Sequence, residues 1–146
     1  MKIHQLSVFL ENKPSQLMEP CRLLANAGVD IRTLTLADTE QFGILRLIVS
    51  DWAKGRQTLR DAGYVVNVTE VVAVEVPDRP GGLVELLNVF ENTNTNIEYM
   101  YAFTFGRGET AVLIFRFDNP DAAIERLQAA GVNVVGSAEV YQRIER

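Results

Sequence analysis

The sequence predicts an α+β fold of two tandem modules, 1–69 and 70–146, each a four-stranded antiparallel sheet with two helices on one face. The first observation behind this prediction is an internal repeat, in which Val8–Ile31 aligns with Val74–Ile97 sixty-six residues later. The second is that both copies show the same order of strand-like and helix-like hydrophobic patterns. A repeat of this length is too long for a solenoid and is typical of two small domains.

The first strand, turn and helix can be read from both copies together. The strand alternates with a period of two, and its core positions are Leu6, Val8 and Leu10, or Val72, Val74 and Val76. The helix after the turn has apolar residues at i, i+4 and i+7, namely Leu17, Cys21 and Leu24, or Leu83, Leu87 and Phe90. Pro20 is late for a first-turn proline, so we expect the first copy to have a shifted helix start or a distorted first turn.

The remaining elements follow in the same order in both copies. The apolar phase of the second strand changes after Ile31 and Ile97, which predicts a bulge. A hairpin and a third strand precede a second helix, whose predicted N-caps are Asp51 and Asn119. A fourth strand follows, which we expect to be extended by residues 138–144 in the second copy. The order β-α-β-β-α-β with right-handed crossovers predicts the ferredoxin-like arrangement.

The composition is that of an ordinary globular protein, with 47% apolar and 23% charged residues among 146. Neither a membrane-spanning run nor a secretory signal is evident, so we expect a cytoplasmic protein. One cysteine, Cys21, and one histidine, His4, exclude an internal disulfide and a Cys/His zinc site. We therefore predict no metal and no cofactor.

The net charge of −5 is unevenly distributed. Residues 1–72 carry eight basic and eight acidic side chains, whereas residues 73–146 carry six basic and eleven acidic ones. Phosphate recognition needs clustered Lys and Arg, so the acidic second module argues against nucleic acid as a partner. The same argument applies to RNA, although a four-stranded sheet of this topology can stack RNA bases on its aromatic side chains.

The turn and the second strand carry a recognisable motif. In the second copy the residues are Asp78-Arg79-Pro80-Gly81-Gly82-Leu83 and Asn96-Ile97. They resemble the signature of ACT domains, with one extra residue in the glycine turn. The first copy departs from it with Asn12-Lys13-Pro14-Ser15-Gln16-Leu17 and Asp30-Ile31. The resemblance covers the whole chain as a tandem ACT pair without an attached catalytic domain. It implies that a free amino acid or related small metabolite binds at a seam between two domains, with a regulatory or sensor role.

The residues of the motif suit such a ligand. A turn at a helix N-terminus presents backbone N–H groups to a carboxylate, and Gly81 and Gly82 permit close approach of the backbone. Asn96 offers both a donor and an acceptor. A plain turn is the structural alternative, in which Ser15 is only an N-cap. Asp30 would repel a ligand carboxylate but attract an ammonium group, so either the two sites differ or only one binds.

Four aromatic residues, Tyr99, Tyr101, Phe103 and Phe105, alternate along the second strand of the second copy. The register set by Met100 places them on the sheet face away from the helices, where they would form a large apolar patch. We expect another surface to cover this aromatic stripe, either a second subunit of a homodimer or the partner module. If the register is shifted by one residue, they are core residues instead.

Catalytic constellations are lacking. The sequence has no Ser/His/Asp set, no oriented Cys/His pair and no GxxxxGK[ST] phosphate loop. Arg79 resembles the loop arginine of small ferredoxin-like phosphatases, but only one copy contains it. The sequence therefore predicts a non-enzymatic regulatory protein. The alternative is a ligand-independent regulatory or structural subunit that binds a metabolic enzyme.

Overall fold

The structure is a computed structural model that describes residues 1–38, 40–103 and 109–141. Its contacts divide the chain into two compact units. The first module is His4–Thr69 together with Tyr141, and the second is Glu70–Val140 together with Met1–Ile3.

The first module is built from four strands and two helices. Its elements are β1 (Ile3–Glu11), α1 (Met18–Asn26), β2 (Ile31–Asp38), β3 (Phe42–Val49), α2 (Trp52–Asp61) and the beginning of β4 (Val66–Pro77). The strand order is β2-β3-β1-β4, and β3 is antiparallel to both β1 and β2. Because β1 and β2 each run opposite to β3, they run parallel to one another.

The second module repeats this order with the rest of β4 as its first strand. Its further elements are α3 (Gly82–Asn88), β5 (Ile97–Ala102), β6 (Thr110–Phe117), α4 (Pro120–Ala129), β7 (Val134–Val135) and α5 (Ser137–Tyr141). The strand order is β5-β6-β4-β7. Both modules thus have the predicted α+β, ferredoxin-like topology.

Each module has one apolar core between its sheet and its helices, and its strand members are the positions that the alternation predicts. The helix positions are predicted only in part, because Leu17, Leu83 and Leu87 are exposed, whereas Leu86 is buried. In the first module the buried members are Leu6, Val8, Leu10, Leu24, Val29, Leu45, Leu47, Val49, Leu59 and Val66. In the second they are Val72, Val74, Val76, Leu86, Phe90, Phe115, Phe117, Ala123, Leu127 and Val134. Since each core joins strand residues to residues of both helices, the two helices lie on one face.

The predicted bulge is present in both modules. The pairing of β2 with β3 shifts between Ile31 and Thr33, and that of β5 with β6 shifts between Ile97 and Tyr99. The inserted residue changes which side chains face the core, and this accounts for the change of apolar phase in the sequence.

The helix starts follow local chemistry. The Asp51 side chain accepts a hydrogen bond from the Lys54 N–H at 3.1 Å, and Asn119 accepts from Ala122 at 3.2 Å, so both predicted N-caps are confirmed. Helix α1 begins at Met18, two residues later than the position equivalent to the start of α3. This shift confirms the expectation from Pro20, which thereby falls in the first turn, where no intrahelical N–H bond is needed.

The predicted extension of the last strand is wrong for the residues that the structure describes. Strand β7 ends at Val135, and the chain turns into α5. The Gly136 carbonyl accepts hydrogen bonds from the N–H groups of Glu139 and Val140, at 3.1 and 3.3 Å. This local bonding closes a helical turn in place of a ladder. Residues 142–144 of the predicted extension lie outside the described residues.

Candidate functional site

In each module the turn after the first strand is hydrogen-bonded to the hairpin between the second and third strands. In the first module the Asn12 N–H donates to the Gln41 carbonyl at 2.9 Å, and in the second the Asp78 N–H donates to the Glu109 carbonyl at 2.8 Å. These pairs are equivalent in the repeat. The turn and the β2–β3 hairpin therefore form one corner of the module, and the equivalent corner recurs in the second.

A cavity of about 170 Å³ lies at this corner of the first module. Its lining residues are Leu10, Glu11, Asn12, Lys13, Ser15, Gln16, Leu17, Met18, Leu36, Asp38 and Gly43. Five of the six predicted turn residues line it, and Pro14 does not. The structure thus brings Asn12, Lys13, Ser15, Gln16 and Leu17 together around one cavity.

Three lining residues, Leu36, Asp38 and Gly43, come from the hairpin and were missed by the motif. The signal that could have found them is topological. Parallel strands end at the same edge of a sheet, so the end of β2 must lie near the end of β1. The motif includes only the turn and the beginning of β2, so it contains no residue from this end of β2.

The cavity combines apolar walls with a few charged groups. Leu17, Met18 and Leu36 are 38%, 58% and 52% exposed. The Lys13 ammonium pairs with the Glu11 carboxylate at 2.9 Å. Among the described residues, none forms a hydrogen bond or ion pair with the Asp38 side chain. The cavity therefore carries one carboxylate without a cationic partner among the described residues, beside solvent-facing apolar surface.

Ser15 adopts a left-handed backbone conformation, with φ of 70°. The alternative role of Ser15 as an N-cap is therefore wrong, because the capping position of α1 is Leu17 and no side chain caps it. Its equivalent in the second module, Gly81, has φ of 86°. A residue with a Cβ costs about 1–2 kcal/mol in this conformation, and glycine avoids that cost.

The glycines of the second turn meet requirements of their own backbone. A Cβ on Gly82 would lie 2.0 Å from the Pro77 carbonyl oxygen, so only glycine fits where the turn packs against the end of β4. Gly82 thus makes a close backbone approach to Pro77, and the approach of this turn to a ligand stays a prediction.

The cation of this turn is already paired. The Arg79 guanidinium donates to both carboxylate oxygens of Glu85, at 2.8 and 3.2 Å. Helix α3 is only seven residues long.

The openings of β2 and β5 are closed by equivalent hydrogen bonds. The Asp30 N–H donates to Ser50 Oγ at 2.9 Å, and the Asn96 N–H donates to Asp118 Oδ1 at 3.0 Å. In the first module the carboxylate belongs to the donor residue, Asp30, whereas in the second it belongs to the acceptor residue, Asp118. Asn96 and Ile97 remain beside Asp118, whose charge would oppose a ligand carboxylate.

Asp30 already has a cationic partner within the first module. The Arg32 guanidinium, on a side chain only 11% exposed, forms an ion pair with the Asp30 carboxylate. Arg32 Nε also donates to the Tyr141 carbonyl at 2.8 Å. Asp30 therefore already has one cationic partner, and its role in binding a ligand ammonium group stays a prediction.

The turn and the beginning of β2 are not brought together within the first module. Ile31 and Asp38 are the two ends of β2. At about 3.3 Å per residue this separates them by roughly 23 Å. Asp30 and Ile31 are therefore remote from the cavity, which Asp38 lines.

Tyr99 and Tyr101 of the aromatic stripe lie on the predicted face of the sheet. Tyr99 pairs with Arg116 and Tyr101 with Ile114, whereas Met100 pairs with the core residue Phe115. Tyr99, Tyr101 and Phe103 are half-buried. Phe105 lies outside the described residues.

Other candidate chemistry is sparse in the part of the chain that the structure describes. No group of three or more His, Cys, Asp or Glu side chains is arranged to hold a metal there. The His4 ring stacks on Trp52, with centroids 4.3 Å apart. Burial raises the pKa of the Cys21 thiol, which disfavours the reactive thiolate. Every helix in the described ranges is too short or too polar to span a membrane.

Comparison with known proteins identifies the family. No curated protein matches the chain. The chain is 37% identical to protein BT0572 from Bacteroides thetaiotaomicron over 97% of both chains, with a TM-score of 0.90. The regulatory subunit of aspartate kinase from Thermus thermophilus is 14% identical over 87% of this chain and 91% of that one, with a TM-score of 0.63. This second likeness shows the fold alone. A family model described as an ACT domain pair matches residues 1–143, so the chain belongs to the family of ACT domain pairs.

Proposed function

We propose that this ACT domain pair is a non-enzymatic regulatory or sensor protein, and that a free amino acid or related small metabolite binds in the cavity of the first module. The observation that carries this proposal is the position of the cavity. It lies between the turn that contains Ser15 and the hairpin that contains Asp38. Small-molecule sites are concave and mostly apolar with a few placed polar groups, and this cavity has that composition.

The turn of the second module, Asp78–Leu83, is the weaker candidate for a ligand site. Its two glycines are accounted for by the left-handed backbone at Gly81 and the contact of Gly82 with Pro77. Its one cation, Arg79, is paired with Glu85. Fewer features of this turn therefore remain to be explained by a ligand. The same holds for Asp30, which Arg32 neutralises.

Ligand binding is tested by thermal shift with the common amino acids. A ligand present at one hundred times its dissociation constant should stabilise the folded protein by about 2.7 kcal/mol, because it binds the folded state only. We expect at least one amino acid to raise the melting temperature in a concentration-dependent way. If none does, the proposal of an amino-acid ligand fails, and the ligand-independent subunit of a metabolic enzyme becomes the better account.

The position of the site is tested by a matched pair of substitutions on one strand. Leu36 and Leu34 lie on the same face of β2 and are 52% and 39% exposed, but only Leu36 lines the cavity. We expect Leu36→Ala to weaken ligand binding tenfold or more, since burying a leucine side chain in a site contributes roughly 1.5–3 kcal/mol. Leu34→Ala should leave the affinity unchanged. Equal affinities of the two variants, measured by calorimetry, would place the site elsewhere.

We also propose that the protein is a homodimer and that the aromatic stripe Tyr99, Tyr101, Phe103 and Phe105 contributes to its interface. Aromatic residues are enriched at interfaces, and Tyr99 and Tyr101 lie on the sheet face opposite the helices. Tyr101→Glu should yield a smaller species in size-exclusion chromatography with light scattering. Ala102→Glu, on the same strand and the other face, is the control. An unchanged mass for Tyr101→Glu would exclude the stripe from a dimer interface.

A further inference from the structure

The walls of the first-module cavity determine which part of a ligand they can bury. Leu10 is a buried lining residue, and the exposed apolar side chains of Leu17, Met18 and Leu36 also line the cavity. An apolar group in the cavity would remove this surface from water, whereas a charged group would be desolvated against it. The walls therefore favour an uncharged, apolar side chain on the ligand.

The charged groups of the cavity determine the polar end of the ligand. Two carboxylates, Glu11 and Asp38, and one ammonium, Lys13, line it. Lys13 and Glu11 neutralise one another at 2.9 Å. Asp38 forms no ion pair with any residue that the structure describes, so it is the carboxylate that a ligand cation can take.

Comparison of the two modules singles out the Ser15 hydroxyl. The turn needs a left-handed residue at this position in both copies, and glycine supplies it without strain at Gly81. The fold alone would thus be served by glycine at both positions. The first module instead has a serine that lines the cavity, and strained residues that persist in a fold cluster at ligand sites.

We propose that the first-module cavity selects an α-amino acid with an uncharged apolar side chain, with its ammonium group on Asp38, its carboxylate on the Ser15 hydroxyl and its side chain between Leu17, Met18 and Leu36. This rests on the proposed function and narrows the class of ligand. An acidic amino acid has a second carboxylate on its side chain, which the carboxylates of Glu11 and Asp38 would repel. A basic one would place its charged end against the apolar walls.

The ligand class is tested with probes that differ by one group. Leucine, methionine, aspartate and lysine vary the side chain, while leucinamide retains only the ammonium charge and N-acetylleucine only the carboxylate charge. Calorimetry with the full chain should show binding of leucine or methionine at least tenfold tighter than of aspartate or lysine. Leucinamide should bind more tightly than N-acetylleucine, because it keeps the group that Asp38 recognises.

The role of Asp38 is tested by comparison with a carboxylate on the same hairpin. Asp38→Asn should weaken binding of leucine or methionine about tenfold or more, in line with the loss of a charge-assisted hydrogen bond. Glu40→Gln removes the same charge two residues away, at an exposed position that does not line the cavity, and should leave the affinity unchanged. An equal loss in both variants would mean that general charge, and not contact with Asp38, attracts the ligand.

Ser15 is tested by two readouts that move in opposite directions. Ser15→Gly should raise the melting temperature of the ligand-free protein, because it relieves the left-handed strain, and should weaken ligand binding, because it removes the hydroxyl. A purely structural Ser15 would give the first change without the second, and this result would overturn its role. Ser15→Ala keeps the strain and loses the hydroxyl, so it should weaken binding without the rise in melting temperature.

The outcomes separate this inference from the proposed function. Tight binding of aspartate or lysine in place of leucine and methionine would overturn the ligand class and leave the sensor proposal intact. Binding of leucine that is indifferent to both Asp38→Asn and Ser15→Gly would overturn the assigned contacts. Binding of no amino acid would overturn both proposals together.

Discussion

Replacing Gly82 with alanine is expected to destabilise the protein by about 3 kcal/mol or more. The new Cβ would lie 2.0 Å from the carbonyl oxygen of Pro77 and 3.1 Å from its carbonyl carbon. Both are backbone atoms, so no side chain can rotate away to make room. The Gly82 N–H also donates to the Arg79 carbonyl at 3.0 Å, which fixes the turn that would have to move. Urea denaturation, monitored by circular dichroism, measures the change in the free energy of unfolding.

Gly136 provides the control in the same module. A Cβ at Gly136 would meet no atom within 4 Å, and its φ is not in the left-handed region. Gly136→Ala should therefore change the free energy of unfolding by no more than about 0.5 kcal/mol, as is usual for substitutions away from special features. Similar stabilities for the two alanine variants would show that the strand end at Pro77 can move away from the turn at little cost.

This expected result limits which substitutions can probe ligand binding. Gly81 and Gly82 belong to the motif that resembles ACT domains, and enlarging either one disturbs the backbone, Gly81 through its φ of 86° and Gly82 through the contact with Pro77. A loss of binding in such variants would therefore report misfolding as readily as a lost contact. Leu36 and Asp38 are better probes, because both are exposed side chains outside the strained turn.

The fold could be predicted from the sequence because its determinants are local and occur twice. Alternation in β1 and β4, the phase change at Ile31 and Ile97, and the N-caps Asp51 and Asn119 each follow from residues close in the chain. The end of the second module was mispredicted for the same reason. An apolar alternation after Val135 favours a strand, and only the hydrogen bonds to the Gly136 carbonyl show that the chain turns into a helix.

The candidate site could be predicted from the sequence only in part. A motif contains residues that are close in the sequence, whereas a cavity is lined by residues from distant parts of the chain. The turn residues that line the cavity belong to the motif, whereas Leu36 and Asp38 lie about twenty residues further along and meet them through the parallel arrangement of β1 and β2. The pairing of Asp30 with Arg32 likewise depends on side-chain directions that composition does not reveal. The topology alone, however, places the end of β2 beside the end of β1, and so predicts that Leu36 and Asp38 lie near the turn.

The repeat conserves the apolar pattern of the core but not its volume, and Phe117 shows the consequence. It is fully buried in the second module, with ring centroids 5.5 Å from Phe115 and 5.1 Å from Phe90. The equivalent residues of the first module are smaller. Val49 corresponds to Phe117, and Leu24 corresponds to Phe90. Three packed rings therefore fill a space that aliphatic side chains fill in the other copy.

Phe117→Ala is expected to cost about 3–5 kcal/mol, because the removed ring leaves a cavity whose other walls are rings fixed by their own packing. Val84→Ala, at a position 60% exposed on α3 of the same module, should change the free energy of unfolding by less than about 0.5 kcal/mol. Chemical denaturation of both variants measures the difference. Phe117→Val, which introduces the residue of the first module, should still destabilise, since Phe90 and Phe115 remain shaped for an aromatic neighbour. A neutral Phe117→Val would contradict this, and would mean that the second core can collapse to the volume of the first.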